Sequence, residues 1–261
     1  MLDKSLLPAN ISKERFLQLL VRYDSLIESI SSEKGAKPGQ KTLLELDRFR
    51  YHDAPALFHF DDLERSMKFD DVKTLVDWKL RHGKFRPTLT ALVSSNDEGL
   101  VESIIQEAVE QYQIDSDAIK ANHTIKELRG IGPATASLLL SIYDPHRVIF
   151  FSDEAFYWLC CDGQKSRIKY NVKEYQELTA ATQTLFKRLG VNAVDVEKVA
   201  YVLMKEGDSE ITPVDGKTAS TSDTNPAQVD STKKSTKRKD TISADDADSN
   251  APVRRSKRGK A

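Results

Sequence analysis

Apolar residues recur every three or four positions along most of the chain up to about residue 206, which is the spacing of one face of an α-helix. Glycine, proline and helix-capping residues separate the segments that show this period. The segments extend from Ser12 to Ser32, from Thr42 to Phe49, from Asp70 to Leu80, from Leu100 to Tyr112, from Val172 to Leu189 and from Val194 to Lys205. No sustained alternation of apolar and polar residues, the pattern typical of strands, is present in the sequence. The pattern therefore predicts an all-α fold.

Three details of this prediction are specific enough to test. Ser12 is a suitable N-cap for the first helix, whose period places five residues on its buried side. These residues are Phe16, Leu17, Leu20, Val21 and Leu26. We expect the second helix to break before Pro55, because proline interrupts helical hydrogen bonding. We assign residues 147–151 to a loop, although the β-branched and aromatic side chains there would also suit a buried strand.

A glycine-rich turn between two apolar segments is the most distinctive feature of the chain. Residues 128–136 read Leu-Arg-Gly-Ile-Gly-Pro-Ala-Thr-Ala. Pro133 suits the first turn of a helix, and the Ala- and Leu-rich run after it continues to Tyr143. Residues 125–143 therefore predict two helices joined by a tight turn. Glycine at positions 130 and 132 permits a positive φ and lets another molecule approach the backbone closely.

The turn predicts contacts with an anion. Backbone N–H groups there, together with the positive end of the following helix dipole, are suited to hold a phosphate of a nucleic-acid backbone. The residues expected to do so are Gly130, Ile131, Gly132, Ala134 and Thr135. Such contacts position a duplex without reading its sequence. The same residues also fit a plain turn between helices, so the pattern leaves both interpretations open.

Residues 128–136 resemble the hairpin of the helix-hairpin-helix-Gly/Pro-Asp superfamily of DNA glycosylases, which includes endonuclease III and the adenine-mismatch and alkylated-purine glycosylases. In that family a loop leads from the second hairpin helix to an aspartate that opens the next helix, and here residues 144–151 lead to Asp153. The resemblance implies a two-lobed helical fold around a cleft, double-stranded DNA as the partner and an extruded base as the substrate. It implies that Asp153 is the catalytic carboxylate. Ser152 or Asp153 also fits the role of N-cap for the apolar segment that follows.

Two departures from the family pattern limit the chemistry. Bifunctional members carry a lysine two residues after the second hairpin glycine, and Ala134 occupies that position here. Iron-sulfur members carry four cysteines, whereas this chain has only the adjacent Cys160 and Cys161. The five histidines show no metal-ligand spacing. The resemblance therefore implies a monofunctional glycosylase without metal or cofactor, or a relative that binds DNA and lacks catalysis.

A second candidate DNA contact lies at residues 78–87, where basic and aromatic side chains alternate. The candidate contacts with DNA or with a base are Trp78, Lys79, Arg81, Lys84, Arg86 and, near the hairpin, Tyr143. A lysine held in a cleft with a lowered pKa would also be an amine nucleophile, and Lys84 is the one we consider. Alternatively, Trp78 and Tyr143 belong to the core, and the basic side chains form an ordinary solvated face.

Composition and charge set the outer limits. Of the 39 Lys and Arg residues 11 lie after residue 206, and of the 40 Asp and Glu residues 9 do, so residues 1–206 carry a net charge of −3. A basic surplus of the kind that most nucleic-acid binders show is therefore missing, and DNA binding requires a local basic patch. No apolar run approaches the roughly 20 residues of a membrane span, so no membrane is expected as a partner. Two cysteines and the lack of a signal-peptide pattern indicate a reducing intracellular compartment.

The segment 207–261 is rich in Ser, Thr, Asp and Lys and almost free of aromatic residues, which predicts a disordered tail. Its paired basic clusters are typical of nuclear-import signals or of an arm that contacts DNA, and a purely solubilising tail is the alternative. The cluster residues are Lys233, Lys234, Lys237, Arg238, Lys239, Arg254, Arg255, Lys257 and Arg258. We expect a nuclear, monomeric protein with one helical domain at 1–206.

Three functions remain open from the sequence. The first is a monofunctional glycosylase that flips a damaged or mispaired base and hydrolyses its N-glycosidic bond with the help of Asp153. The second is a catalytically inactive relative that holds a DNA backbone. The third is a protein-interaction scaffold that is indifferent to DNA.

Overall fold

A computed structural model of the chain describes residues 2–60 and 63–206, so the predicted tail with its nine cluster residues lies outside the described part. Within the described residues the secondary structure is entirely helical, which confirms the predicted all-α class. The α-helices of this part are α1 (Lys13–Leu20), α2 (Tyr23–Lys34), α3 (Leu43–Arg48), α4 (Ala54–Phe58), α5 (Phe69–His82), α6 (Leu89–Ser94), α7 (Glu98–Asp115), α8 (Ala118–Ile125), α9 (Pro133–Tyr143), α10 (Asp153–Cys160), α11 (Val172–Leu189) and α12 (Ala193–Glu206).

The first predicted helix is two helices. Ser12 caps α1 as expected, since its side chain accepts a hydrogen bond from the Arg15 N–H at 3.1 Å. The chain then turns at residues 21–22, so the apolar period changes face there, and Val21 is 76% exposed. The prediction that Leu17 and Val21 are buried is therefore wrong. The buried residues of the two helices are Phe16, Leu19, Tyr23, Ile27 and Ser31.

The second predicted helix does not break before Pro55. A π-helical turn at Phe49–Asp53 follows α3, and the Ala54 N–H donates to the Phe49 carbonyl, five residues back. Pro55 lies in the first turn of α4, where a helix needs no donor from that residue. The prediction failed because the change of hydrogen-bond register accommodates the proline and keeps the helical path continuous.

Helix α9 is the centre of the core. Every residue from Ala134 to Tyr143 is buried, and the helix packs against α4, α5, α8 and α11. A helix that is apolar on all sides belongs inside a protein, which explains why the segment after Pro133 is so rich in Ala and Leu. Residues 144–152 then form an irregular loop, as predicted, and lead directly to α10.

A buried ion pair fixes this loop from the opposite side. The Nη2 atom of Arg50, in the π-helical turn, lies 3.2 Å from Oε2 of Glu197 on α12 and 2.7 Å from the Ser141 hydroxyl. The other carboxylate oxygen of Glu197 accepts a hydrogen bond of 2.7 Å from the Phe150 N–H. The position of the chain just before α10 therefore depends on contacts with α9, with α12 and with the π-helical turn.

Candidate nucleic-acid interface and active-site cleft

The glycine-rich turn lies between two helices, since residues 126–132 join α8 to α9. Gly130 has a φ of +75°, and a Cβ atom there would lie 2.9 Å from Cβ of Leu92, so this glycine is required for the turn to pack on α6. Gly132 differs from the prediction, because its φ is −96° and it has the extended conformation of an N-cap. A Cβ atom at Gly132 would meet nothing within 4 Å, so the protein itself leaves this position open.

Only part of the backbone in the turn is available as a donor. The Ile131 N–H donates to the Leu128 carbonyl at 3.1 Å, and the Thr135 N–H donates to the Gly132 carbonyl at 3.0 Å. The N–H groups of Ile131 and Thr135 are therefore already used within the turn. Among the described residues no acceptor is recorded for the N–H groups of Gly130, Gly132 and Ala134. These three donors remain for an anion.

Asparagine side chains hold the turn in place. The Arg129 N–H donates to Oδ1 of Asn96 at 2.8 Å, and Nδ2 of Asn96 donates back to the Arg129 carbonyl at 2.9 Å. On the other side, Nδ2 of Asn122 donates to the Pro133 carbonyl at 2.8 Å. The free donors are therefore presented by a backbone that is fixed before any ligand binds.

Asp153 is the first residue of α10, and it is not the N-cap. Ser152 has that role, because its hydroxyl accepts a hydrogen bond from the Ala155 N–H at 3.0 Å. The loop before it is anchored by a hydrogen bond of 2.9 Å from the Phe151 N–H to the Ser137 hydroxyl. The half-buried carboxylate of Asp153 is therefore not used in capping. One oxygen, Oδ1, accepts a hydrogen bond of 2.6 Å from the Tyr170 hydroxyl.

Tyr170 is a site residue that the sequence did not reveal. It has a φ of +53° in the irregular segment before α11, and the Arg86 guanidinium lies 4.9 Å above the centre of its ring. Burial and the hydrogen bond to Asp153 raise the pKa of the Tyr170 hydroxyl, so it keeps its proton and donates. No motif or spacing marks this tyrosine, since its place depends on the path of residues 162–171.

Five of the predicted site residues meet in one small cleft of about 30 Å³ next to Tyr170. They are Lys79, Lys84, Arg86, Ala134 and Asp153. A hollow beside the cleft is lined by Gly130, Gly132 and Thr135, and it shares Lys79, Arg86, Ala134 and Tyr170 with the cleft. The structure therefore connects the hairpin turn to the Asp153 carboxylate through a continuous concave surface with three basic side chains.

Lys79 differs from the other two basic residues of the cleft. Lys84 and Arg86 are exposed in the loop after α5, whereas Lys79 is half-buried on the helix. Burial first, and then the positive charge of Arg86, lower the pKa of Lys79 to about 8, although Asp153 acts in the opposite direction. The sequence indicates the partial burial of Lys79, because this lysine follows Val72 by seven residues and Val76 by three. It therefore falls in the apolar stripe of α5.

Three other predicted contacts do not reach the cleft. Trp78 is fully buried, and its indole donates to Oδ1 of Asp47 at 2.9 Å. Tyr143 is also buried, with its ring 5.8 Å from the ring of Phe60. Both are core residues, so neither is available to stack on a base. The Arg81 guanidinium faces another surface, where it donates to the Lys41 carbonyl at 2.6 Å and pairs with Asp77.

One exposed aromatic side chain lies in the loop that carries Lys84 and Arg86. Phe85, between them, is 68% exposed. Its neighbours on that side include Lys34, Lys37 and Arg81, which line a groove next to the cleft. The loop after α5 therefore presents basic side chains and an aromatic ring to solvent at the edge of the cleft.

No family model, no curated protein and no solved structure matches this chain. In the described part of the chain no group of three or more His, Cys, Asp or Glu residues is arranged to hold a metal ion. None of the helices in residues 2–60 and 63–206 combines the length and apolarity needed to cross a membrane.

Proposed function

We propose that this chain is a nuclear DNA-binding protein with the two-lobed helical fold of a DNA glycosylase. It acts as a monomer on double-stranded DNA and hydrolyses the N-glycosidic bond of a damaged or mispaired base. The observation that carries the proposal is the concave surface that joins the cleft of the Asp153 carboxylate to the hollow lined by Gly130, Gly132 and Ala134. A phosphate bound at the turn would bring the neighbouring sugar to that carboxylate.

The charge distribution supports this proposal despite the net charge of −3 on residues 1–206. Lys79, Lys84 and Arg86 line the cleft, which gives the local basic patch that phosphate binding needs. The N–H groups of Gly130, Gly132 and Ala134 add fixed donors at the start of α9. Both features favour a duplex backbone over an uncharged ligand.

Asp153 is suited to the bond that would break. As a base leaves, positive charge develops on the sugar, and a carboxylate fixed beside it lowers the energy of that state. The hydrogen bond from Tyr170 holds Oδ1, and no hydrogen bond to Oδ2 is recorded among the described residues. One oxygen therefore orients the group while the other remains for the sugar or for a water molecule.

DNA binding is tested first, with the full chain and fluorescent duplexes over a range of salt concentrations. One duplex is undamaged, and another carries a tetrahydrofuran analogue of an abasic site. We expect binding that weakens with salt and favours the analogue, because released counterions drive phosphate contacts and an unpaired site is easily extruded. No binding at low salt would overturn the proposal and leave the scaffold function.

Catalysis is tested separately, by measuring base release from duplexes that each contain one damaged or mispaired base. Asp153→Asn is expected to abolish release and to keep DNA affinity. Asp70→Asn is the matched control, since Asp70 is an exposed carboxylate at the start of α5 that pairs with Lys73. Binding without release from any of the duplexes would assign the chain to the catalytically inactive relatives.

A further inference from the structure

The cleft beside Asp153 has the size of a water site. Its volume is about 30 Å³, and a water molecule needs roughly 10–15 Å³ measured in this way, so the space suits water and is too small for a base. Polar side chains line it, among them Asp153, His82 and Tyr170. Water keeps a fixed place in such a space when two or more polar atoms bond to it. The cleft is therefore suited to the water molecule that hydrolysis consumes.

His82, the last residue of α5, is the most firmly held polar side chain of this lining. It is only 5% exposed, and its ring stacks on the rings of Trp78 and Tyr201, with centroids 4.5 and 3.9 Å away. The Tyr201 hydroxyl also donates to the His82 carbonyl at 3.2 Å. Both the ring and the backbone are fixed, so the imidazole has its position before any ligand binds.

Hydrogen bonds determine which ring nitrogen of His82 carries the proton. Its Nε2 atom lies 3.1 Å from the Tyr23 hydroxyl, and that hydroxyl donates to Oδ1 of Asp47 at 2.8 Å. A hydroxyl has one proton, so the Tyr23 oxygen accepts from Nε2, and Nδ1 is left as an acceptor. Nδ1 has no recorded partner in the described part of the chain, and it is not enclosed by protein atoms. Because His82 lines the cleft, this free acceptor opens onto it.

The imidazole of His82 is neutral at neutral pH, as an acceptor must be. Burial has the largest effect on the pKa of His82 and holds it well below its ordinary value. The positive charges of Lys205, Lys34 and Arg50 act in the same direction. A proton taken up at Nδ1 would add a positive charge, and the Asp47 carboxylate at the end of the hydrogen-bond chain is the negative group that would stabilise it.

We propose that His82 and Asp153 hold the attacking water in the cleft, with Nδ1 of His82 as the base that takes its proton. This inference rests on the proposed function, because it assigns the water of that hydrolysis. The C1′–N bond breaks, and its electron pair leaves with the base, which takes up a proton from solvent. Positive charge develops on the sugar, where Asp153 stabilises it. The water oxygen bonds to C1′, one water proton passes to Nδ1, and His82 later returns this proton to solvent.

Base release in a single turnover tests the proposal with the full chain. The probe is every duplex from which the unchanged protein releases a base. His82→Gln keeps an amide donor for the Tyr23 hydroxyl and removes the acceptor at Nδ1. We expect release to fall about a hundredfold or more, while the affinity for the tetrahydrofuran duplex stays the same. His82→Asn places an amide oxygen near the position of Nδ1 and should recover part of the lost rate.

Two further measurements address the hydrogen-bond chain. Tyr23→Phe removes the hydroxyl that fixes the proton on Nε2, so release should fall by about tenfold or more. Tyr112→Phe is the matched control, since Tyr112 is a buried tyrosine that donates to Asp144 at 2.8 Å outside the cleft. It should release the base at the unchanged rate. Nitrogen-15 NMR of the unchanged protein should show the imidazole proton on Nε2 of His82 and none on Nδ1.

Other results would overturn the inference. Release by His82→Gln at the unchanged rate would reject the role of His82 and leave the proposed function intact. A proton on Nδ1 in the NMR spectrum would do the same, and this result needs no variant that folds. An equal loss in Tyr23→Phe and in Tyr112→Phe would assign the effect to packing and reject the hydrogen-bond chain. No release from any duplex by the unchanged protein would reject hydrolysis itself, and the inference with it.

Discussion

Lys79 is a single residue whose burial should be measurable as lost stability. Its pKa is about 8 in the folded protein and about 10.5 in the unfolded chain, so between these values the unfolded chain binds more protons. The free energy of unfolding should therefore rise with pH over this window, and the full penalty is present below about pH 8. We expect Lys79→Met to be more stable than the unchanged protein at neutral pH, with a difference that shrinks toward pH 10.5.

Urea unfolding at a series of pH values checks this expectation. Lys73→Met is the control, because Lys73 is a partly exposed lysine of the same helix that pairs with Asp70. A difference between Lys79→Met and the unchanged protein that stays constant from pH 7 to 10.5 would show that the amine is not buried as described.

Phe85 is the residue for which exposure itself suggests a role. An aromatic ring that is 68% exposed between two basic residues has little to contribute to the fold, and it is well placed to stack on a base or fill the gap left by an extruded one. Phe85→Ala should weaken binding to the abasic-analogue duplex by about 1–3 kcal/mol and leave the free energy of unfolding nearly unchanged.

The control for Phe85 is Ile114→Ala, near the end of α7, where an apolar side chain is 87% exposed. Fluorescence anisotropy with the abasic-analogue duplex measures both variants. Equal affinities for the two variants would mean that Phe85 does not enter the DNA.

At the scale of an element, the turn between α8 and α9 separates a structural glycine from one that is open to a ligand. Gly130→Ala should destabilise the protein by about 1–2 kcal/mol or more, because its φ is +75° and the new methyl group would meet Leu92. Gly132→Ala should leave the free energy of unfolding nearly unchanged, since nothing lies within 4 Å of the new atom. Its methyl group would instead obstruct a phosphate at the turn.

Chemical denaturation and salt-dependent DNA binding distinguish the two variants. The prediction is a stable Gly132→Ala protein with reduced affinity for both undamaged and abasic-analogue duplexes. A Gly132→Ala protein that binds DNA as well as the unchanged chain would place the phosphate contacts away from this turn.

The helices were easier to predict from the sequence than the turns that connect them. The period of apolar residues and the capping residues identified α11 and α12 nearly to the residue, because those signals are local. The turn at residues 21–22 and the π-helical turn before Pro55 were missed, since each depends on what the helix packs against rather than on its own residues.

The candidate site shows the same division. The hairpin turn and Asp153 could both be identified from their order along the chain, and they line adjoining parts of one concave surface. Tyr170 could not be predicted, because a long irregular segment brings it back to Asp153. Lys79 and Trp78 are neighbours in sequence, and both follow buried residues of α5 at helical spacing. Only the structure shows that the lysine reaches the cleft and that the tryptophan fills the core.

At the scale of the whole molecule, charge is divided unequally between residues 1–206 and the nine basic cluster residues beyond them. If those clusters contact DNA, they add affinity that depends on salt and not on the base, because each neutralised phosphate releases counterions. Replacing all nine by Gln in the full chain should weaken binding to undamaged and abasic-analogue duplexes by the same factor. The slope of log affinity against log salt should become shallower by roughly 0.9 for each lost phosphate contact.

A change in the ratio of the affinities for the two duplexes would contradict this prediction, because discrimination between the duplexes is assigned to the cleft. Unchanged affinity and slope would leave nuclear import as the role of the clusters, which a fluorescent fusion of the same variant in cells would then report as loss of nuclear accumulation.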